Sequence, residues 1–197
     1  MSVNNNFTTS LFLLFTLALS ACSSTPSHLI IEPNILNTPS TNYNNKTAQL
    51  EVIDMRTARH IVQISQENEA VILLSAEKRL ENTIQNVLTS QWKKQNLLIN
   101  HTNTNDMKNT KKIHIIIEKA LTRVSQYTLN YQIKTEIIIK VRITHGLQIQ
   151  TTTFKNTGTS KGVLQAGIAD LEHDFNQRLT GLLTQVLTNH KIHSFLK

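Results

Sequence analysis

Residues 127–143 read YTLNYQIKTEIIIKVRI, and this stretch decides the fold. Every odd position from Tyr127 to Ile143 carries an apolar residue, a tyrosine or a threonine, whereas the even positions other than Ile138 are polar or charged. Successive side chains of a β-strand point to opposite faces of the sheet. The alternation therefore predicts a long strand with one buried face and one polar face.

Shorter patterns of the same kind predict further strands on both sides of this one. In chain order they lie at residues 47–52, 59–64, 71–74, 113–124 and 147–154. His145-Gly146 suits a two-residue hairpin turn between the long strand and the last one. Residues 155–167 hold three of the five glycines and are predicted to form a loop.

Two segments carry apolar residues at helical spacing. They predict helices over Ala76–Asn96, with Ser75 as the capping residue, and over Ala169–Asn189. Each helix has a single apolar stripe, so each must bury one face against the sheet. We therefore predict an α+β fold, a two-layer sandwich in which an antiparallel sheet carries both helices on one face.

The N-terminus looks like a lipoprotein signal peptide. Leu11–Leu19 is mostly apolar, too short to cross a hydrocarbon core of about 30 Å as a helix, but of the right length for the core of a signal peptide. It ends in Leu19-Ser20-Ala21-Cys22, an order of residue types that resembles the bacterial lipobox. We predict a signal peptide over residues 1–21 and, on Cys22, a thioether-linked diacylglycerol with an amide-linked palmitate.

Residues 22–46 are predicted to be the lipidated cysteine and a flexible tether, because they contain all three prolines and many Ser, Thr and Asn residues. Two apolar patches, Leu29–Ile31 and Ile35-Leu36, suggest that part of this tether docks on the domain. The periplasmic domain is predicted over residues 47–197. By resemblance to other lipoproteins of bacteria with two membranes, Ser23 permits transfer to the outer membrane.

The composition excludes several kinds of site. A single cysteine rules out an internal disulfide, a multi-thiolate zinc site and an iron–sulfur site, and the chain contains neither of the usual glycine-rich phosphate-loop motifs. The net charge is +7, but an exported domain meets anionic lipids and envelope proteins rather than nucleic acid. We predict no cofactor and no metal.

Asp54 and Arg56 are the best candidates for a specific site. They lie two residues apart in a predicted turn, where an aspartate commonly accepts backbone hydrogen bonds, and we interpret them as a pair that locks this turn. The alternative is that Arg56 binds a carboxylate or phosphate with both arms of its guanidinium. His190 and His193, three residues apart near a helix end, have no carboxylate nearby in sequence to complete a metal site.

Several stretches resemble the YajG-type lipoproteins of gamma-proteobacteria, an uncharacterised family. They are Asp54–Thr57, Val71–Leu74 followed by Leu80 and Val87-Leu88, Gly162–Ala166, and Ile192–Lys197. The resemblance runs from the lipobox to the end of the chain. It implies an outer-membrane lipoprotein and supplies no catalytic residue.

These features lead to two functional hypotheses. The first is a non-catalytic, lipid-anchored outer-membrane protein whose domain faces the periplasm and binds another envelope component, either a protein or an anionic lipid. The second is an envelope enzyme, a hydrolase acting on cell-wall or lipid material. An enzyme needs a concave pocket with convergent polar groups, whereas a binding module needs an exposed sheet face or edge.

Overall fold

The computed structural model describes residues 28–36, 41–100 and 110–197. The predicted signal peptide, the lipobox, Cys22 and Ser23 lie outside the described residues. The elements are, in chain order, β1 (His28–Leu29), β2 (Thr47–Asp54), β3 (His60–Gln66), β4 (Ile72–Ala76), α1 (Leu80–Lys94), β5 (Leu98–Asn100), β6 (Lys111–Gln126), β7 (Asn130–His145), β8 (Gln148–Val163), α2 (Ile168–Thr188) and α3 (His190–Leu196).

The sheet is mixed, so the predicted antiparallel sheet is wrong. The long strands β6, β7 and β8 do form an antiparallel meander. Along the other edge of β6, however, β2 and β3 lie end to end and both run parallel to it. The pairs β1–β4 and β2–β5 are parallel as well. Alternation along a strand reports which face is buried, and it carries no information about the direction of the neighbouring strand.

The strand predicted from residues 127–143 is β7. Its six odd positions from Ile133 to Ile143 are all buried, including Thr135. The strand begins at Asn130, and the two preceding apolar residues, Tyr127 and Leu129, are exposed. The alternation thus identified the buried face correctly but extended the strand by three residues.

Strand β8 continues to Val163, so the loop predicted over residues 155–167 is wrong for most of its length. Its glycines serve close packing rather than a turn. A Cβ on Gly158 would lie 2.1 Å from Cζ of Arg178, and a Cβ on Gly162 would lie 2.3 Å from the Tyr131 ring. Both side chains cross the strand where only glycine leaves room for them.

The two predicted helices are present. Helix α2 agrees with its prediction to one residue at each end, whereas α1 begins at Leu80 rather than Ala76. The reason is that Ser75 and Ala76 complete β4, where they pair with His28 and Leu29. The apolar stripe of each helix is buried as predicted, and its members include Leu80, Ile84, Trp92, Leu171 and Phe175.

The remaining apolar tail forms α3, whose Ile192 and Leu196 are buried. Helix α1 contacts β2 and β5, α2 contacts β7 and β8, and the two long helices contact each other. The fold is α+β, with the sheet curled into a half-barrel. The two-layer sandwich with both helices on one face stays a prediction.

The packed structure extends N-terminally beyond the boundary predicted at residue 47. In the stretch 28–36 burial alternates, with Leu29, Ile31 and Ile35 in the core. Backbone N–H groups of this stretch also bind α2, since Ile30 donates to Glu172 at 2.7 Å and Glu32 N–H donates to Asn176 at 2.8 Å. The apolar patches noted in the predicted tether therefore belong to the fold.

Candidate functional site

Arg56 lies between the end of β2 and the beginning of β3, beside the edge of β6. Its Nε and Nη2 donate to the two carboxylate oxygens of Asp54 at 2.9 and 2.8 Å, and its Nη1 donates to the carbonyl oxygen of Ala120 at 3.1 Å. Both charged side chains are only 7 % exposed. Between the part of β6 that pairs with β2 and the part that pairs with β3, Ala120 has no strand neighbour on this edge. The guanidinium donates a hydrogen bond to its carbonyl oxygen instead.

The electrostatics of this pair follow from its contacts. Burial alone would raise the pKa of Asp54, but the hydrogen bonds and positive charge of Arg56 outweigh burial and lower it. To bind a ligand through two parallel hydrogen bonds, Arg56 would have to lose its bidentate contact with Asp54. The geometry therefore favours the turn-locking interpretation over ligand binding.

His193 does not form a pair with His190. Its Nδ1 is hydrogen-bonded to the hydroxyl of Tyr43, a fully buried residue that precedes β2. Burial lowers the pKa of His193 and raises the pKa of Tyr43, which favours the neutral form of each, and their hydrogen bond docks α3 on the domain. Within the described part of the chain, no group of three or more His, Cys, Asp and Glu residues could hold a metal ion.

The other polar side chains that an enzyme could use have separate partners. Nδ1 of His114 lies 3.1 Å from Oε2 of Glu51, and Glu118 forms a salt bridge with Lys140. His60 and Glu118 line the same shallow cavity beside Arg56, but in the ranges that the structure describes no hydrogen bond joins them. The structure thus does not bring these residues together as a catalytic group.

A buried polar network that was not predicted lies between α2 and the sheet. Asp174 is 5 % exposed and accepts a hydrogen bond from Thr135 at 2.5 Å. Thr135 and Thr122 share a hydrogen bond at 2.7 Å across β6 and β7. Asp174 belongs to the run Glu172-His173-Asp174, whose three side chains point in different directions, so that only this one enters the core.

A cavity of about 960 Å³ lies where β2 and β6 begin and β7 ends. We call it the basic cavity, because its titratable side chains are four lysines and one histidine. Those residues are Lys46, Lys111, His145, Lys191 and Lys197, with Gln148, Gln150 and Ser194 among the neutral polar residues. No aspartate or glutamate side chain lines it.

Lys111 is the half-buried lysine of this group, whereas Lys46, Lys191 and Lys197 are exposed. Burial lowers its pKa, and the positive charge of Lys46 lowers it further. Among the described residues, no carboxylate lies within 4.0 Å of the ammonium groups of Lys46, Lys111 or Lys191. Like charges in this arrangement favour the binding of an anion, which would relieve their repulsion.

The opposite end of the sheet carries exposed apolar side chains, and we call it the apolar end. It comprises three neighbouring turns, and its members, each at least 50 % exposed, are Val71–Leu73, Tyr127, Leu129, Val163 and Leu164. Two of the turns are held together by Gln126, whose Nε2 donates to the carbonyl of Leu164 at 2.6 Å and to that of Tyr127 at 2.9 Å.

Leu164 adopts an unfavourable backbone conformation at this end. Its φ is 63°, in the left-handed region, which costs a residue with a Cβ about 1–2 kcal/mol. Its side chain is nevertheless exposed and packs in no core. Leucine therefore contributes nothing evident to folding at this position, where glycine would be less strained.

A comparison with protein-family models now identifies the chain. The model of a family described as uncharacterized lipoprotein matches residues 33–197, and this is the YajG family that the sequence motifs resemble. The chain belongs to this lipoprotein family. None of the curated proteins matches it. In the ranges described, no helix of the lipoprotein combines the length and the apolar character needed to cross a membrane.

Solved structures resemble the lipoprotein in fold. Protein XCC0632 from Xanthomonas campestris is 11 % identical, with a TM-score of 0.56, and the match covers 86 % of this chain and 94 % of that one. A crystal structure of an uncharacterized protein is also 11 % identical, with a TM-score of 0.51 over 86 % and 99 % of the two chains. Identity at this level shows a shared fold and nothing about function.

Proposed function

We propose that this lipoprotein is a non-catalytic binding module, anchored to the outer membrane through Cys22, whose periplasmic domain binds a phosphate-bearing envelope component in the basic cavity. The observation that carries the proposal is the presence in that cavity of Lys46, Lys111 and Lys191, whose ammonium groups have no carboxylate within 4.0 Å among the described residues. The Asp54–Arg56 pair has a structural role in this proposal.

The chemistry of the cavity supports a phosphate ligand. Lysine ammonium groups bind phosphate as point charges, and a hydrogen bond to a charged group contributes about 1.5–3 kcal/mol. Lys46, Lys111 and Lys191 come from three separate segments, namely the residue before β2, the beginning of β6 and helix α3. Their convergence gives one concave site whose lining also contains neutral polar side chains.

We expect the full-length lipoprotein in neutral detergent to bind pyrophosphate more tightly than inorganic phosphate, as measured by isothermal titration calorimetry. Replacing Lys111 by glutamine should raise the Kd for pyrophosphate by about tenfold or more, which corresponds to about 1.4 kcal/mol or more. Binding should also weaken as salt is added, because the attraction is electrostatic.

Lys134→Gln is the matched control, since it removes one positive charge from an exposed position on β7 away from the cavity. It should leave the Kd unchanged. An equal loss in both variants would mean that net charge, not the cavity, attracts the anion. Tighter binding of a glutamate-rich peptide than of pyrophosphate would overturn the phosphate ligand in favour of an acidic protein.

The anchor is tested separately. Mass measurement of the N-terminal peptide should show a chain that begins at Cys22 and carries acyl groups, and Cys22→Ser should give an unlipidated, uncleaved precursor. Ser23→Asp should shift the protein towards the inner membrane in fractionated envelopes. Wild-type protein recovered from the periplasm with a free thiol would contradict both the anchor and the outer-membrane location.

A further inference from the structure

We propose that the apolar end of the sheet lies against the membrane that holds the anchor, with Tyr127, Leu129, Val163 and Leu164 inserted at the lipid interface. This inference rests on the anchor at Cys22 proposed above. Its partner is a lipid surface, in contrast to the phosphate-bearing ligand of the basic cavity, and the two surfaces lie at opposite ends of the long strands.

The direction of the N-terminal strand supports this orientation. Strand β1 runs parallel to β4, with His28 paired to Ser75 and Leu29 to Ala76. A parallel register places the entry of β1 on the side of β4 that leads back through Leu74 to Val71. The chain therefore enters the fold from the side of the apolar end.

The length of chain before β1 also favours an anchor near the apolar end over one near the basic cavity. Cys22 precedes His28 by six residues, which span at most about 20 Å when fully extended. Val62 pairs with both Leu74 and Thr122, so these three residues lie at the same height along the strand direction. From Thr122, β6 extends about 13 Å to Gln126 at the apolar end and about 36 Å back to Lys111, at about 3.3 Å per residue. Along the strand direction, the anchor can therefore reach the level of the apolar end but not that of the basic cavity.

The residues at this end suit an interface between lipid and water. Exposed apolar side chains gathered in one place mark an interaction surface, and tyrosine is enriched where a protein meets the headgroup region. The same turns carry Glu67 and Glu69, the latter bonded to Gln66. These carboxylates limit the insertion to the interface and prevent deep entry into hydrocarbon. The strained Leu164 then has a role outside folding, since it presents a large apolar side chain to the lipid.

Tryptophan fluorescence in vesicles tests the orientation. The full-length lipidated protein is reconstituted in phosphatidylcholine vesicles, with or without bromine on the acyl chains, as the variant Leu129→Trp or Leu147→Trp. Leu147 is the matched control, because it is a fully exposed leucine in a turn at the other end of the hairpins. The native Trp92 is buried and gives the same background in both.

We expect the tryptophan at position 129 to shift its emission to the blue and to lose most of its intensity in brominated vesicles. The tryptophan at position 147 should show neither change. Leu164→Gly, added to Leu129→Trp, should reduce the quenching without lowering the Tm, because glycine adopts a positive φ freely. A lower Tm in this variant would show that Leu164 serves the fold.

The outcomes separate this inference from the proposals on which it rests. Lipid found on Cys22 by mass, with no quenching at position 129, would overturn the orientation and leave the anchor intact. Equal quenching at both positions would also overturn it, because no end would then face the membrane preferentially. An N-terminus without acyl groups would overturn the anchor and this inference together. Phosphatidylcholine vesicles carry no net charge, so the net positive charge of the protein does not draw it to their surface.

Discussion

Replacing Phe175 by alanine is expected to lower the free energy of unfolding by about 3–5 kcal/mol, the usual cost of removing a buried phenylalanine. Phe175 lies on α2, has no exposed surface and belongs to the single core cluster in which both long helices and the sheet take part. The substitution would leave a cavity between α2 and the strands it contacts, β7 and β8. Urea unfolding followed by circular dichroism measures the loss as a lower midpoint with an unchanged slope.

Gln177→Ala on the same helix is the control, because Gln177 is exposed and two residues away from Phe175. Its effect should stay within about 0.5 kcal/mol. Losses of similar size in the two variants would mean that the core at Phe175 is loosely packed. A changed denaturant slope for Phe175→Ala alone would instead indicate that the unfolded or native state had changed in compactness.

The buried face of the long hairpin could be predicted from the sequence, because a period of two follows directly from strand geometry. The same rule shows where prediction stops. Thr135 has an odd position and is buried, but its partner Asp174 is 39 residues away on α2. The pattern of residues within one strand cannot predict a contact with a residue so distant in sequence. The exposure of Tyr127 and Leu129 was missed for a related reason, since alternation continues in sequence after the neighbouring strands have ended.

The sheet order was not accessible from local patterns. Two short strands separated by five residues, β2 and β3, normally suggest a hairpin, but here both follow the same edge of β6. The separation is bridged by Arg56, whose guanidinium takes the place of a strand neighbour at Ala120. The basic cavity could not be predicted either, because the lysines that form it are not neighbours in sequence. Of these lysines, only Lys111 has another lysine, Lys112, next to it in the sequence.

Removing one member of the Asp54–Arg56 pair is the second large effect that we expect. Arg56→Met should lower the free energy of unfolding by about 3–5 kcal/mol, because it leaves a buried carboxylate without its counter-charge and the Ala120 carbonyl without a donor. Asp54→Asn should also destabilise the protein, by leaving the guanidinium without a carboxylate. The double variant should lose less than the sum of the two, which is the signature of a direct interaction.

Arg59→Met provides the control within the same turn, since Arg59 is 67 % exposed and lies 3.7 Å from its partner Glu81. Its removal should cost less than about 1 kcal/mol, as expected of an exposed pair.

The pH dependence of stability gives an independent check of the Asp54–Arg56 pair. Because Arg56 lowers the pKa of Asp54 in the fold, the pair stabilises the protein above the unfolded pKa of about 3.9, and this contribution is lost as the pH falls through the folded value. The difference between wild type and Arg56→Met should therefore shrink in acid.

The same cycle decides between the two roles considered for Arg56. If Arg56 locks the sheet, the variants change stability with a strong coupling between positions 54 and 56, and pyrophosphate binding in the basic cavity stays intact. If Arg56 instead serves a ligand, Arg56→Met would cost less than about 1 kcal/mol, as Arg59→Met does, and would abolish binding at a second site. The contacts of its guanidinium with Asp54 and Ala120 lead us to expect the first result.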